Sequence, residues 1–473
     1  MTAAIPDPQS QAVANPDEAS QASAAGSLKA NAGVSIGTPA ASKKAPSPQA
    51  GILNRPPEHA LVAGLSFIAT TPTQAVAALD ALRELIRREL NSDIDDLTPG
   101  LDKAIPTRET GELGASDGFN RAYLTITVGF SSTGMEVLGI PAAERPADLV
   151  PVPWASFGDA PRIAEAGDVV LQLCADDPYV VEHVLRRVEH SLSDQFHTVW
   201  TLMGHQRFSS RHGRTSADEG RALIGFHDGL ANLDPRHNPG DAELVFVDPA
   251  KVANYPKNPP PGPQPPAQPG QPGYGTTSSG PVFPELRTPP VAEPEWTHGG
   301  TYMMVRGSVI DTPRWDATPL GQQEHAVGRY KSSGATLDHP DQPDQLNAEP
   351  NYAADPNGAV IPFTAHIRKA NPRAVSDDAA RRIFRRGYPL IAPGPDGQLQ
   401  RGLVFICFAR TTSTQPEFIL RAWLRNPNFP VPDAGADQLL AFDTTVLAGG
   451  YFFVPPLAHR NRPWTWTLPT PSQ

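Results

Sequence analysis

Cysteine is almost absent from this chain: Cys174 and Cys407 are the only two among 473 residues. That count excludes a disulfide framework, and no Cys-x-x-Cys pair is present to hold a metal. Each sits in an apolar run, VVLQLCA and GLVFICFA, which predicts buried structural thiols. No stretch approaches the roughly 18 apolar residues that span a bilayer as a helix. Positive charge is also in deficit, with 39 Lys and Arg against 50 Asp and Glu for a net charge of −11. That argues against a nucleic-acid groove or an anionic membrane as the main partner. It suits a protein that handles neutral or cationic small molecules. The first 54 residues lack a charged start, an apolar run, a cleavage site and an arginine pair, so the default expectation is cytoplasmic residence.

What the chain has in excess is proline and glycine, 54 and 39 residues, concentrated in two places. Residues 1–54 are rich in Ala, Ser, Pro, Gln and Gly, and are expected to be a disordered tail or an arm that orders against a partner subunit. Residues 254–294 include NPPPGPQPPAQPGQPG, which favours polyproline II and cannot join a sheet interior. This segment is expected to be a surface insertion within a second domain. The length suffices for two domains of ordinary size.

Between these stretches the apolar pattern alternates between strand and helix. HALVAGLSFIAT reads as a buried strand, and Thr73–Leu90 carries Val76, Leu79, Leu82, Leu85 and Ile86 at helical spacing. A polar connection over 93–117 leads to AYLTITVGF, a strand, and then to another at Gly167–Cys174. Pro178–Leu192 is a second helix, and Phe196–Met203 a fourth strand. Strand–helix–strand–strand–helix–strand is the ferredoxin-like order, which makes 55–215 one α+β domain. The plan repeats over 216–473: Thr301–Ile310, a helix over Asp316–Val327, a core strand at Leu403–Ala409, a helix at Gln415–Leu424, and a closing strand at Phe452–Pro455.

The chemistry gathers around GFHDGLAN, residues 225–232, where glycines bracket the carboxylate of Asp228 in a turn. TAHIRKANPR presents His366, RRIFRRGYPL presents Arg385 and Arg386, and RGLVFICF spans 401–408. An imidazole, a carboxylate and a guanidinium are what a haem peroxidase needs: one ligand below the iron, and an acid–base and charge-stabilising pair above it. Taken alone, a Gly-flanked Asp is more often a turn former than a catalyst. His227, the neighbour of Asp228, points elsewhere in such a turn and has a structural role.

Read together, these stretches resemble the dye-decolourising peroxidases. GFHDG matches that family's GxxDG signature, and GDVVLQLCADDP, LTITVGFSSTGMEVLGI, GGTYMMVR, HAVGRYKSSGATL, HIRKANPR, FRRGYP and GYFFVPP have close counterparts there, in order, over residues 55–460. The Pro-rich insertion is the main departure and points to the longer, insertion-bearing members. The resemblance implies two ferredoxin-like domains of the dimeric α+β barrel type, with one haem b per chain between them or within the C-terminal one.

Carried over by position, it implies His366 as the axial iron ligand and Asp228 as the distal acid–base residue. The distal arginine falls on Arg385, or on Arg386 if the register slips by one. Leu403 and Phe405 would roof the iron. Asp437 would accept a hydrogen bond from the ligand histidine, with Asp443 the fallback, and Arg329 would pair with a haem propionate. Some members carry Asn two residues after the distal Arg, where this chain has Gly387.

On this reading Asp228 carries a proton between the two oxygens of hydrogen peroxide, most effectively in mildly acidic solution. Arg385 stabilises the departing oxygen. Asp437, by polarising His366, raises electron density on the iron. Small aromatic compounds, phenols and dyes are the expected reductants, the larger ones through surface Tyr or Trp relays. Glu285, Glu293 and Glu295 are candidates for binding Mn(II), against the default of a solvated loop. No nucleic acid or membrane is expected as partner, and a homo-oligomer is compatible. The rivals are a haem-handling protein on the same scaffold without significant turnover, and an interaction module built on the Pro-rich loop.

Overall fold

The strand HALVAGLSF is apolar without alternation because both of its faces are covered, as in sheets packed on two sides. In the computed structural model, which describes residues 46–90, 122–206, 220–256, 283–373, 376–395, 397–462 and 464–469, this is β1 (His59–Phe67). Its odd-numbered residues Leu61, Ala63 and Leu65 pack outward against two helices, and Ala60 and Val62 point inward. The helices are α1 (Pro72–Leu90), which buries Leu79, Leu82, Leu85 and Ile86, and α2 (Pro178–Ser191). Each such side chain stabilises the fold by roughly 1.5–3 kcal/mol on burial. Helix α2 starts where it does because Asp177 accepts from Tyr179 N at 2.9 Å and Pro178 is preset for the first turn.

With β2 (Thr125–Phe130), β3 (Val169–Ala175) and β4 (Phe196–His205), the first half forms an antiparallel sheet ordered β2-β3-β1-β4. The second half repeats the plan with β5 (Thr301–Ile310), a two-residue β6 (Phe384–Arg385), β7 (Tyr388–Pro393), β8 (Leu399–Ala409) and β9 (Asp443–Val454), ordered β9-β5-β8-β7. Both are ferredoxin-like, as the periodicity implies. They are joined edge to edge, β2 to β9 at Phe130↔Phe453 and β4 to β7 at Gly204↔Leu390. The second seam closes because Gly204 has no side chain: a Cβ there would lie 2.5 Å from that of Tyr388. The eight long strands thus make one closed barrel without free edges, and the described residues belong to one compact unit.

Trp200, Leu202, Met303, Val305, Val404, Ile406 and Phe408 fill the barrel interior. Near β2 and β3 the lining turns polar, with Gln172 and Thr127 buried. Residues 46–54, expected in the disordered tail, are packed there instead. Gln49 exchanges hydrogen bonds with the backbone of Val128 and donates to Pro455 O, Gln172 donates to Gly51 O at 3.1 Å, and Ile52 is buried. Buried polar groups need partners, and this segment supplies them. Residues 1–45, the polar connection over 93–117 and residues 257–282 of the insertion lie outside the described residues.

Element bounds differ from expectation mostly at the ends. β9 starts at Asp443, well before Phe452, and Pro416–Phe418 runs into a π turn over Ile419–Leu424. The helix expected over 316–327 is two, Thr312–Ala317 and Leu320–Val327, parted where Pro319 interrupts the ladder.

The described part of the insertion, 283–294, is tied to the body. Phe283 packs near Phe418 and Phe429, Arg287 pairs with Asp148 and Glu417, and Glu293 accepts from Tyr302 Oη at 2.5 Å and Ala147 N at 2.9 Å. Burial pushes the Glu293 carboxyl from 4.5 up to about 7, against the pull of these two donors. The folded protein therefore holds a proton there that the unfolded chain has released between pH 4.5 and about 7. This group's stabilisation is full below that window and is lost as pH rises through it. In Glu293→Gln the denaturation midpoint should vary less over this range than in the parent protein. An unchanged slope would assign the dependence to other groups.

Candidate functional site

Side chains on successive strand residues point to opposite faces, and this settles how the two arginines of FRRGYP divide. Arg385 pairs with Cys407 across β6 and β8, and lies on the outer face with Leu403 and Phe405. Arg386 faces the barrel interior, is 3% exposed, and donates to the carbonyls of Ile52, Asn54 and Arg55. Arg381, 1% exposed, stacks over Phe418. The arginines of this segment are therefore not one solvated basic face.

Arg385 Nη2 donates to Leu230 O at 2.6 Å, and its backbone N and O are both held by the side chain of Asn232, at 3.0 and 2.8 Å. Asn232 ends the GFHDGLAN turn, so the turn that carries Asp228 is fastened directly to the strand that carries Arg385. Burial lowers the Arg385 pKa, and the nearby Asp228 carboxylate works against that lowering. Asp228 Oδ1 accepts from Gly229 N at 2.7 Å. A methyl group added at Gly387 would stand 3.3 Å from Leu403 Cδ1 and 3.8 Å from Asp228 Oδ2. Glycine at 387 thus lets the carboxylate and Leu403 approach the backbone closely. Leu403 and Phe405 are half-buried while Val404 and Ile406 are buried inside the barrel.

His366 begins a short helix, His366–Ala370. Its Nδ1 lies 2.8 Å from Asp437 Oδ2, and the other oxygen of Asp437 accepts from Leu440 N at 2.9 Å. The Asp437 side chain is fully buried, whereas His366 keeps 28% of its side-chain surface exposed. The carboxylate selects the tautomer with the proton on Nδ1 and leaves the Nε2 lone pair free for a metal. Burial pushes the His366 pKa down, but Asp437 more than reverses this; Arg385 is near enough to oppose protonation. Asp443 does not serve His366. It accepts from Arg306 Nη1 at 2.7 Å, and Arg306 also pairs with Asp159.

Arg329 is buried and donates to the carbonyls of Gly334 and Leu346 at 2.7 and 3.2 Å. Burial first, then the charges of Arg373 and Arg385, bring its pKa down to about 10. Tyr352 and Glu349 oppose that lowering, and the Arg329 guanidinium has carbonyls as its hydrogen-bond partners. These residues fit a haem: an oriented imidazole with its second nitrogen available, cations for the propionates, and apolar side chains for the ring face. They bring together His366, Asp437, Asp228, Arg385, Leu403, Phe405 and Arg329. The glutamates are otherwise placed, since Glu293 turns inward to Tyr302 while Glu285 and Glu295 are exposed. Among the described residues no three His, Cys, Asp or Glu side chains are grouped to hold a metal ion.

Two residues of this site carry no local signal. The partner of Asn232 lies 153 positions away. Lys369, fully buried, donates to the carbonyls of Asn426, Phe429 and Gly435 at 2.6–2.7 Å and so fixes the loop that delivers Asp437. His227 is structural as expected, with Nε2 2.8 Å from Arg221 Nη2, and both cysteines are buried and free. No helix among the described residues is long and apolar enough to cross a membrane.

Comparison with known proteins identifies the family and the fold. The model of the Dyp-type peroxidase N-terminal domain matches residues 58–206, and that of the C-terminal domain residues 284–459, well over half of the chain. The chain is 28% identical over 419 residues to a deferrochelatase of Yersinia pestis, covering 86% of this chain and 80% of that protein. A deferrochelatase of Escherichia coli is 29% identical over 307 residues, covering 64% and 61%. The DyP-type peroxidase of Cellulomonas bogoriensis superposes with a TM-score of 0.61 at 26% identity, covering 89% of this chain and 97% of that one. That of Streptomyces coelicolor does so with a TM-score of 0.64 at 21% identity, covering 87% and 92%, and speaks for the fold alone.

Proposed function

The chain belongs to the Dyp-type peroxidase family, and on that premise we propose that it reduces hydrogen peroxide with Asp228 and Arg385 while oxidising small aromatic donors, phenols and dyes. The observation that carries this reading is the fastening of the Asp228 turn to the Arg385 strand through Asn232. The Asp228 carboxylate lies beside Gly387 and Leu403 on the side of the sheet that carries Arg385. One haem b per chain, ligated by His366, would supply the redox chemistry: two electrons to peroxide, then single electrons drawn from donors.

The protein's own groups have distinct tasks. Asp228 takes the proton from one peroxide oxygen and delivers it to the other, which leaves as water. Arg385 lowers the energy of negative charge developing on that oxygen. Asp437 holds the Nδ1 proton of His366 and makes it a more basic ligand. Leu403 and Phe405 keep bulky donors out. Arg329 would hold a propionate. Mn(II) oxidation gains no support from the dispersed glutamates. Cytoplasmic residence belongs to the same reading, supported by two buried, free cysteines.

Haem handling without turnover is the second reading, favoured by the name of the deferrochelatase relatives. One experiment separates the two. The absorption spectrum of the purified protein is recorded before and after addition of peroxide. A Soret band that shifts, and returns when a phenol is added, is the expected result. A static band would leave only the haem-handling reading, and no band at all would remove both.

A further inference from the structure

A cavity is lined in part by the strand that carries Arg385. It is a cleft of about 260 Å³ at the barrel mouth, between residues 53–56, residues 232–237 and Phe384–Arg386. One wall is apolar, made by Leu53, Pro56, Pro235 and Phe384. Its charge is positive in a protein whose net charge is −11: Arg55, Arg236, Arg385 and Arg386 line it against a single carboxylate, Asp234. Asp234 is engaged by its own neighbour, with His237 Nδ1 at 2.9 Å from Oδ2. Arg55 is neutralised by Asp176. Arg386 donates from its terminal nitrogens to three carbonyls and interacts with Cys174 and Tyr388 in the barrel interior. Arg236 is exposed at the rim and reaches only Leu53 O. Among the described residues, Arg236 therefore stands at this cleft without an anionic partner.

We infer that the cleft binds a small aromatic carboxylate, its ring on the Leu53, Pro56, Pro235 and Phe384 wall and its carboxylate on Arg236. The volume lies below the roughly 300–1,000 Å³ of common ligand sites, so one ring is the size it takes. Arginine's planar fork matches a carboxylate with two parallel hydrogen bonds. An inorganic anion would leave the apolar wall unused. Asp228 is not among the residues that line the cleft, so the peroxide chemistry assigned to it plays no part in this inference.

Isothermal titration of the haem-loaded protein with benzoate tests it. Saturable binding with a Kd of about 1 mM or tighter is expected. Benzyl alcohol and acetate, which lack the charge and the ring respectively, should each bind at least ~10-fold more weakly, and Arg236→Gln should weaken benzoate by a similar factor. The Soret band should stay in place on binding, and Asp228→Asn should bind benzoate as the parent does. Failure of the Asp228 assignment would thus leave this result standing. Benzoate that binds no more tightly than acetate, is indifferent to Arg236→Gln, or shifts the Soret band would overturn the inference, as would the absence of saturable heat.

Discussion

Asp228→Asn should react with hydrogen peroxide about 10²–10⁴-fold more slowly than the parent protein, with its Soret band intact. Amide and carboxylate are nearly isosteric, so the backbone bond from Gly220 to the turn, Asp228 N to Gly220 O at 2.9 Å, and the clamp by Asn232 both survive. What is lost is the ability to accept and return a proton. Arg385→Leu should slow the same step by about 10²–10³-fold, the usual cost of removing one donor to a developing oxyanion. Stopped-flow decay of the resting spectrum against peroxide concentration measures both. Native rates in Asp228→Asn would remove it as the acid–base group and leave Arg385 as the favoured distal residue.

Arg306→Met should cost about 3–5 kcal/mol of folding stability, because it leaves charges buried without a partner. Arg306 is 7% exposed on the outer face of β5. It binds both oxygens of Asp159 at 3.0 and 3.2 Å and Asp443 at 2.7 Å, and Asp159 also pairs with Arg425. The network ties the connection between β2 and β3 to the start of β9. Burial draws the Arg306 pKa down, and Asp443 and Asp159 more than restore it; burial raises the Asp443 carboxyl, which Arg306 resists. Without the arginine, Asp443 and Asp159 must be carried charged in a buried place, or be protonated. The loss should therefore shrink as pH falls. Urea denaturation at pH 7 and pH 5 would show this, and Asp443→Asn added to Arg306→Met should recover part of the loss. A loss below about 1 kcal/mol would mark the network as a solvent-screened surface pair.

The division between what is written locally and what is not runs through particular residues. The apolar runs of β1, β3 and β8 and the helical spacing of α1 and α2 state their own structure, because strand and helix periods are local properties. The motifs around Asp228, His366 and Arg385 likewise announce reactive side chains, since unusual residues in apolar or Gly-bracketed frames are legible one stretch at a time. Local pattern does not reach what those groups touch. Arg385 and Arg386 are adjacent and chemically identical, and only the pleat of β6 against β8 sends one to Asp228 and the other into the barrel.

In one dimension Asp437 is the expected partner for His366 and Asp443 the fallback, with nothing local to exclude the second. The loop fixed by Lys369 brings the first to 2.8 Å, while Arg306 claims the second. Residues 46–54 have the composition of a tail, yet the polar lining of the closed barrel gives their backbone partners that an open sheet would lack. By itself, then, the sequence determined the repeated ferredoxin-like plan and the reactive residue types. The tertiary structure decided their pairing, because those hydrogen bonds join residues 71 to 334 positions apart and exist only once the barrel has closed.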